Sequence, residues 1–240
     1  ADQGHASAQF SFGVLHFQGL GVAQDFQQAA KWFRLPADQG DAAAQHNLGV
    51  LYERGQGVSQ DFQQTARWYR LAAEQGFTAA QYCLGGLYER GEGVPQDTGQ
   101  AMTWYLTAAR QQHALAQNNL GALMLATRNT AKARVAAYAL YTLSASNDPS
   151  TSNKATQNLT KLAATLTPQE LAAGQALARE LAQSKDIAKT LSPYLDKASA
   201  QAVKATTKPT AIPRPAKSKP VASADGSTAQ PATRCVNAAC

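Results

Sequence analysis

The chain has 240 residues, 44% of them hydrophobic, and a formal net charge of +6. That length fits one large domain, or one domain with appendages, and the longest apolar runs are far too short to span a bilayer. Three cysteines make neither a dense disulfide framework nor a four-ligand zinc pattern.

The charge is unevenly placed. Seven Lys or Arg from Lys197 onward face only Asp225, which accounts for the whole excess; before them, fifteen residues of each sign cancel. The opening residues contain no basic segment followed by an apolar one, so no signal peptide is read there. Ala1-Asp2-Gln3-Gly4 instead recurs as Ala37-Asp38-Gln39-Gly40, so the chain is expected to open inside a repeat, with residues missing upstream.

The repeat is 36 residues long. Trp32, Trp68, Trp104 and Leu140 fall in one register, as do Gly13, Gly49, Gly85 and Gly121, Ala8, Ala44, Ala80 and Ala116, and Gln9, Gln45, Gln81 and Gln117. Each repeat reads as two helices, which predicts pairs near 5–18/25–39, 41–54/61–75, 77–90/97–111 and 113–126/131–146. In the second repeat, Ala44, Leu48, Leu51 and Tyr52 make one apolar stripe at helical spacing. Gly55 is placed to end that helix in a left-handed cap, Gly57 lets the chain turn, and Asp61 caps the next helix. Phe62, Ala66, Tyr69 and Ala73 share the face of that second helix, and Gly76 terminates it. Ala44 and Gly49 remove bulk where helix axes must approach. Neither helix pair has a wide enough apolar face to fold alone, so each must bury it on a neighbour. Pro36, standing where later copies carry Ala72 and Ala108, predicts an early end or a kink in the second helix. The fourth copy keeps the spacing but replaces the glycine loop with Thr127-Arg128-Asn129-Thr130.

This pattern resembles the Sel1-like repeat family, a relative of tetratricopeptide solenoids, across residues 1 to about 146. The residues that carry the likeness include Ala37-Asp38-Gln39-Gly40, Ala44-Gln45, Leu48-Gly49, Tyr52, Gly55-Gln56-Gly57-Val58, Asp61, Ala66 and Trp68-Tyr69, with equivalents such as Leu84-Gly85, Gly93-Val94-Pro95-Gln96-Asp97 and Trp104-Tyr105. The resemblance implies an all-α, right-handed α/α solenoid with a concave groove, used as an adaptor. It departs from the cysteine-rich branch of the family, whose paired cysteines would fall at Gln45 and Ala73, and at Gln81 and Ala109. That branch's disulfides are therefore not carried over.

Beyond the repeats, residues 147–196 read as a loop followed by capping helices. One has Ala155, Leu159, Leu162 and Leu166 on a single face. Thr167-Pro168-Gln169-Glu170 is a start signal for the next, with Thr as N-cap, Pro at the first position and Glu at the third. Residues 185–195 are read as one further short helix. From 197 to 240 the composition turns to Pro, Ala, Lys and Thr without an apolar period, which predicts a disordered basic tail. Cys235 and Cys240 fit either a small disulfide loop or half of a larger site.

No arrangement of acid, base and nucleophile stands out. His5 and His113 share a column with Asp41 and Phe77. His16 occupies a core column with Tyr52 and Tyr88. Asp25, Asp61 and Asp97 read as N-caps. The Gly-x-Gly segments follow helices, whereas a dinucleotide loop follows a strand. Cys83 has no indicated base.

Binding residues are expected off the apolar stripe of the first helices. Asn47, Val50 and Arg54 fall on one flank at 100° per residue, with Tyr82, Arg90 and Asn119 in the following copies. Asn both donates and accepts, which suits a peptide backbone, and Arg suits a carboxylate. The sequence thus favours a monomeric, non-catalytic protein-binding scaffold of bacterial type, periplasmic or secreted, with the cytoplasm as the alternative. It calls for no cofactor, no metal, no specific nucleic acid and no membrane span. Two other readings stay open: a hydrolase or other enzyme working on the groove, and a polyanion or envelope binder acting through the tail.

Overall fold

The computed structural model describes residues 2–150 and 154–195. The tail expected beyond 197, with Cys235 and Cys240, lies outside them. Among the described residues there is no strand, and the order is α1 (Asp2–Gln18), α2 (Phe26–Asp38), α3 (Ala42–Arg54), α4 (Phe62–Glu74), α5 (Thr78–Arg90), α6 (Thr98–Arg110), α7 (Ala114–Thr127), α8 (Ala131–Asn147), α9 (Ala155–Ala163), α10 (Pro168–Gln183) and α11 (Ile187–Leu191), ending in a 3-10 turn, Ser192–Tyr194. None of these helices is long and apolar enough to cross a membrane. The eight repeat helices match the predicted pairs to within about three residues at each end.

The described residues fall into two compact units: one runs to residue 87 and includes 91–95, and the other takes 88–90 and continues from 96. In the first, α2 packs on α3, and each pair closes on itself. Its core joins Ala29, Ala30, Phe33 and Ala37 of α2 to Ala44, Leu48 and Leu51 of α3 and Trp68 of α4. The small residues set how near the helices come. A Cβ added at Gly49 would lie 2.6 Å from the Tyr69 ring, far inside van der Waals contact. In the second unit, α6 packs on α7 and α7 on α8, and α8 then receives α9 and α10 directly.

The repeated polar columns tie each pair together. Asp25, Asp61 and Asp97 cap α2, α4 and α6 through their carboxylates, as expected of N-caps. Gly55 and Gly91 end α3 and α5 at φ +64° and +71°, in the left-handed region that glycine enters without strain. The amides of Gln24, Gln60 and Gln96 donate to the carbonyls of Phe17, Glu53 and Glu89 at 2.9, 2.7 and 2.8 Å, closing the same loop three times. Gln45 and Gln81 donate to Ala37 and Ala73 oxygens. Gln45 also accepts from Gln75 at 2.7 Å, which ties α3 to the end of α4.

Pro36 neither shortens α2 nor ends it: the helix runs on to Asp38 and has 13 residues, as α4 and α6 do. Placed in the last turn, the proline removes a single N–H, while Gln39 still donates back into the turn. The capping helices carry their own fastenings. Thr167 and Glu170 form the expected capping box, and Glu170 also holds Arg134 of α8. Gly174 lets α10 lie against the ring of Tyr138.

Candidate protein-binding surface

The proposed binding residues of α3 have different fates. Val50 is buried, 6% exposed, and packs in the interior, so it does not present a side chain for binding. Asn47 and Arg54 are half-buried, and neither has a hydrogen bond or ion pair among the described residues. They are seven residues apart, two helical turns, so they lie on one face about 10 Å apart along the axis. On α5, Tyr82 is half-buried and Arg90 is exposed.

Asn119 of α7 is already engaged. Its amide donates to the Tyr105 hydroxyl at 3.5 Å, and its oxygen accepts from Asn118 at 3.2 Å. Tyr105 in turn donates to Glu89 at 2.5 Å, and Asn118 accepts from Asn158 of α9 at 2.8 Å. The residue at the Tyr105 position two repeats earlier is Phe33, which has no hydroxyl. Asn47 therefore lacks the hydroxyl partner that its counterpart Asn119 has, and its side chain makes no hydrogen bond among the described residues.

Three features escaped the sequence reading. The first is a buried carboxylate: Glu53, 1% exposed, accepts a 2.7 Å hydrogen bond from the Tyr69 hydroxyl. Glu89 and Tyr105 repeat it in the next copy, whereas the first copy has the aromatic pair Phe17 and Phe33 instead. The 16-residue Glu–Tyr spacing was the available signal. The second is His46, buried between the rings of Tyr69 and Phe77, with centroids at 5.4 and 5.1 Å. Burial, assisted by the charge of Arg54, lowers its pKa to about 4, and its Nδ1 has no hydrogen-bond partner among the described residues. The third concerns Arg67, which is half-buried, with its guanidinium 5.1 Å from the centroid of Trp68. Arg34 lies at 5.4 Å from the same ring. Arg67 is thus part of the packing about Trp68.

The histidine column is a capping column. Asp41 accepts from the Ala44 N–H at 2.7 Å and His113 Nδ1 from the Ala116 N–H at 3.2 Å, while burial lowers the pKa of His113. His16 is half-buried and its Nδ1 is enclosed. Cys83 is fully buried. The second unit also has a cleft of about 450 Å³ between α8, α10 and α11, lined by Arg110, Arg179, Tyr138 and Leu181 among others. Arg110 is there paired with Asp186 at 3.6 Å.

Glycine loops, aspartate caps and glutamine clamps recurring at one spacing are the geometry of a single repeat type. A family model described as the Sel1 repeat matches residues 6–41, 42–77, 78–113 and 114–149. The chain belongs to the Sel1 repeat family. Among solved structures it is similar to a Sel1 repeat protein from Oxalobacter formigenes, with 40% identity over 50% of this chain and 90% of that one, at a TM-score of 0.46. It is also similar to c5321, a protective antigen of uropathogenic Escherichia coli strains with an SLR fold. There the identity is 24% over 91% of this chain and 51% of that one, at a TM-score of 0.49. No curated protein matches. Sel1 repeats are in general protein-interaction scaffolds, and this chain has their all-helical architecture.

Proposed function

We propose that this Sel1 repeat chain is a non-catalytic adaptor that holds a protein or peptide on the groove face of its first helices. The supporting observation is the pair Asn47 and Arg54, accessible on one face of α3 and committed to no other group among the described residues. Asn47 offers a donor and an acceptor to a peptide amide, and Arg54 offers a fork to a carboxylate. An extended, acidic segment fits that chemistry. Tyr82 extends it in the following copy; Arg90 repeats the Arg54 position on its own helix, and Asn119 serves as a structural residue of the polar network about Tyr105.

The test is affinity capture of partners with the whole chain, repeated with Asn47→Ala and Arg54→Glu. Loss of specific partners at unchanged melting temperature supports the reading. Unchanged capture by the double variant would remove this face from consideration. Placement in the periplasm or outside the cell is part of the same proposal, and fractionation of the producing cells checks it.

A further inference from the structure

The cleft in the second unit shares no residue with the α3 face, and three kinds of surface enclose it. Its floor is apolar: Leu143, Ala178, Leu181 and Ile187 are all buried. Its walls are two helical faces, with Tyr138, Thr142 and Ser146 at four-residue spacing on α8 and Gln175 and Arg179 at the same spacing on α10. Its rim carries two exposed guanidiniums, those of Arg179 and of Arg110, the last residue of α6. At about 450 Å³ the cleft lies within the range of about 300–1,000 Å³ that small ligands occupy.

The polar groups of the cleft differ in what they have left to give. The hydroxyls of Thr142 and Ser146 donate to carbonyls one turn back on α8, at 2.9 and 3.0 Å. The Ser184 hydroxyl is shared with Thr190. The Tyr138 hydroxyl and the Arg179 guanidinium, by contrast, make no hydrogen bond or ion pair among the described residues. Arg110 meets Asp186 at 3.6 Å through Nε, longer than a hydrogen bond. The same Asp186 oxygen already accepts from the N–H groups of Ala188 and Lys189 as the N-cap of α11. Among the described residues no Asp or Glu lines the cleft. The uncommitted groups are therefore chiefly donors, two of them cationic, above an apolar floor. One helix positions two of them. A Cβ at Gly174 would lie 2.7 Å from the Tyr138 ring, so α10, which carries Arg179, also holds the phenol in place.

We propose that this cleft binds the free C-terminal residue of a peptide whose last side chain is aliphatic. The carboxylate takes the guanidinium forks and the Tyr138 hydroxyl, all donors to an anion. The aliphatic side chain covers Leu181 and Ile187, and the side-chain amide of Gln175 meets the last peptide group with a donor or an acceptor. A neutral apolar ligand would bury those donors without acceptors, at a cost. A bare inorganic anion would use the rim and leave the floor in water. None of these residues belongs to the α3 face, so the inference does not depend on the reading of Asn47 and Arg54.

The experiment titrates the whole chain with N-acetyl-alanyl-leucine at low salt and follows proton–nitrogen correlation spectra, including the arginine Nε–H signals. Saturable shifts are expected at Arg110, Arg179 and the backbone amides of α10 and α11. The C-terminal amide of the same peptide should bind at least about tenfold more weakly, and so should the acid to Arg179→Gln, the loss expected for one charge-assisted hydrogen bond. Arg179 is exposed, so that variant should melt as the parent does. Lys189→Gln removes a nearby exposed charge outside the lining and should leave affinity unchanged. The proposal is overturned if the lining signals do not saturate, if the amide binds as well as the acid, or if Lys189→Gln weakens binding as much as Arg179→Gln. It is equally overturned if inorganic phosphate moves the same signals with the same affinity, which would make charge the whole of the recognition. Equal affinity for isocaproate, which lacks the peptide group, would assign the cleft to a free aliphatic acid instead.

Discussion

The first and the last of the described repeats differ in how their apolar faces are covered. Every helix pair of this type leaves an apolar face on each side. At the C-terminal end the chain covers its own: α9 and α10 pack on α8, fixed by Leu162, Leu177 and Leu181, the Arg134–Glu170 pair and the close approach of Gly174 to Tyr138. At the N-terminal end the described residues supply no such cover, and Phe12, Leu20, Val22 and Leu35 face outward. Residues in one sequence column can therefore differ in energetic role. The column sets the direction of a side chain, and the neighbour decides whether that direction is inside.

Substitutions at paired column positions give the sharpest test of this contrast. Trp68→Ala should cost about 4 kcal/mol, the usual loss for a fully buried tryptophan, and Trp32→Ala in the first copy about half as much. Denaturant melts of both variants check it, and equal losses would show that the first repeat is as well covered as the second. Leu120→Ala should cost about 3 kcal/mol, against about 1 kcal/mol for Phe12→Ala, whose side chain removes much less area from water. A large loss at Phe12 would mean that the N-terminal face is closed in solution.

The third expectation separates the copies by pH. His46 shares its column with Phe10, Tyr82 and Asn118, so in this column only the second copy carries a histidine. Its pKa is lowered from the ordinary 6.5 to about 4 by burial and then by Arg54. The unfolded chain binds the proton first as pH falls, so the contribution is complete above 6.5 and is lost between 6.5 and about 4. By pH 5 the loss amounts to about 2 kcal/mol. His46→Phe, borrowing the residue of the first copy, should flatten that part of the stability curve. An unchanged slope would place the acid sensitivity elsewhere. The smallest effect is expected at Arg67, where Arg67→Ala forfeits a guanidinium–indole contact of about 1 kcal/mol. Thermal melts that show no change would mean that the contact contributes nothing to stability.

Much of this was legible beforehand because a repeat reports each position several times. The helix pairs, the aspartate caps, the left-handed glycines and the Thr167 capping box depend on a few neighbouring residues, and local geometry fixes them. Pro36 misled because its cost depends on its distance from the helix end, which here leaves one N–H to lose. Val50 misled because an angle on a helical wheel does not say where the next helix lies. Glu53 and His46 were passed over because each reads as a solvent-facing polar residue until Tyr69, Phe77 and their neighbours close around it.

By itself, then, the sequence determined the 36-residue period, the alternation of helices, and which columns are apolar, small or capping, because these follow from backbone hydrogen bonding and side-chain spacing along one strand of chain. Only the tertiary structure decided which members of a column are buried. It set Glu53 under the Tyr69 hydroxyl, kept Asn47 uncommitted while Asn119 is held by Tyr105, and left Phe12 in water while Leu120 is enclosed. Burial is a property of two surfaces, and a column in the sequence describes just one of them.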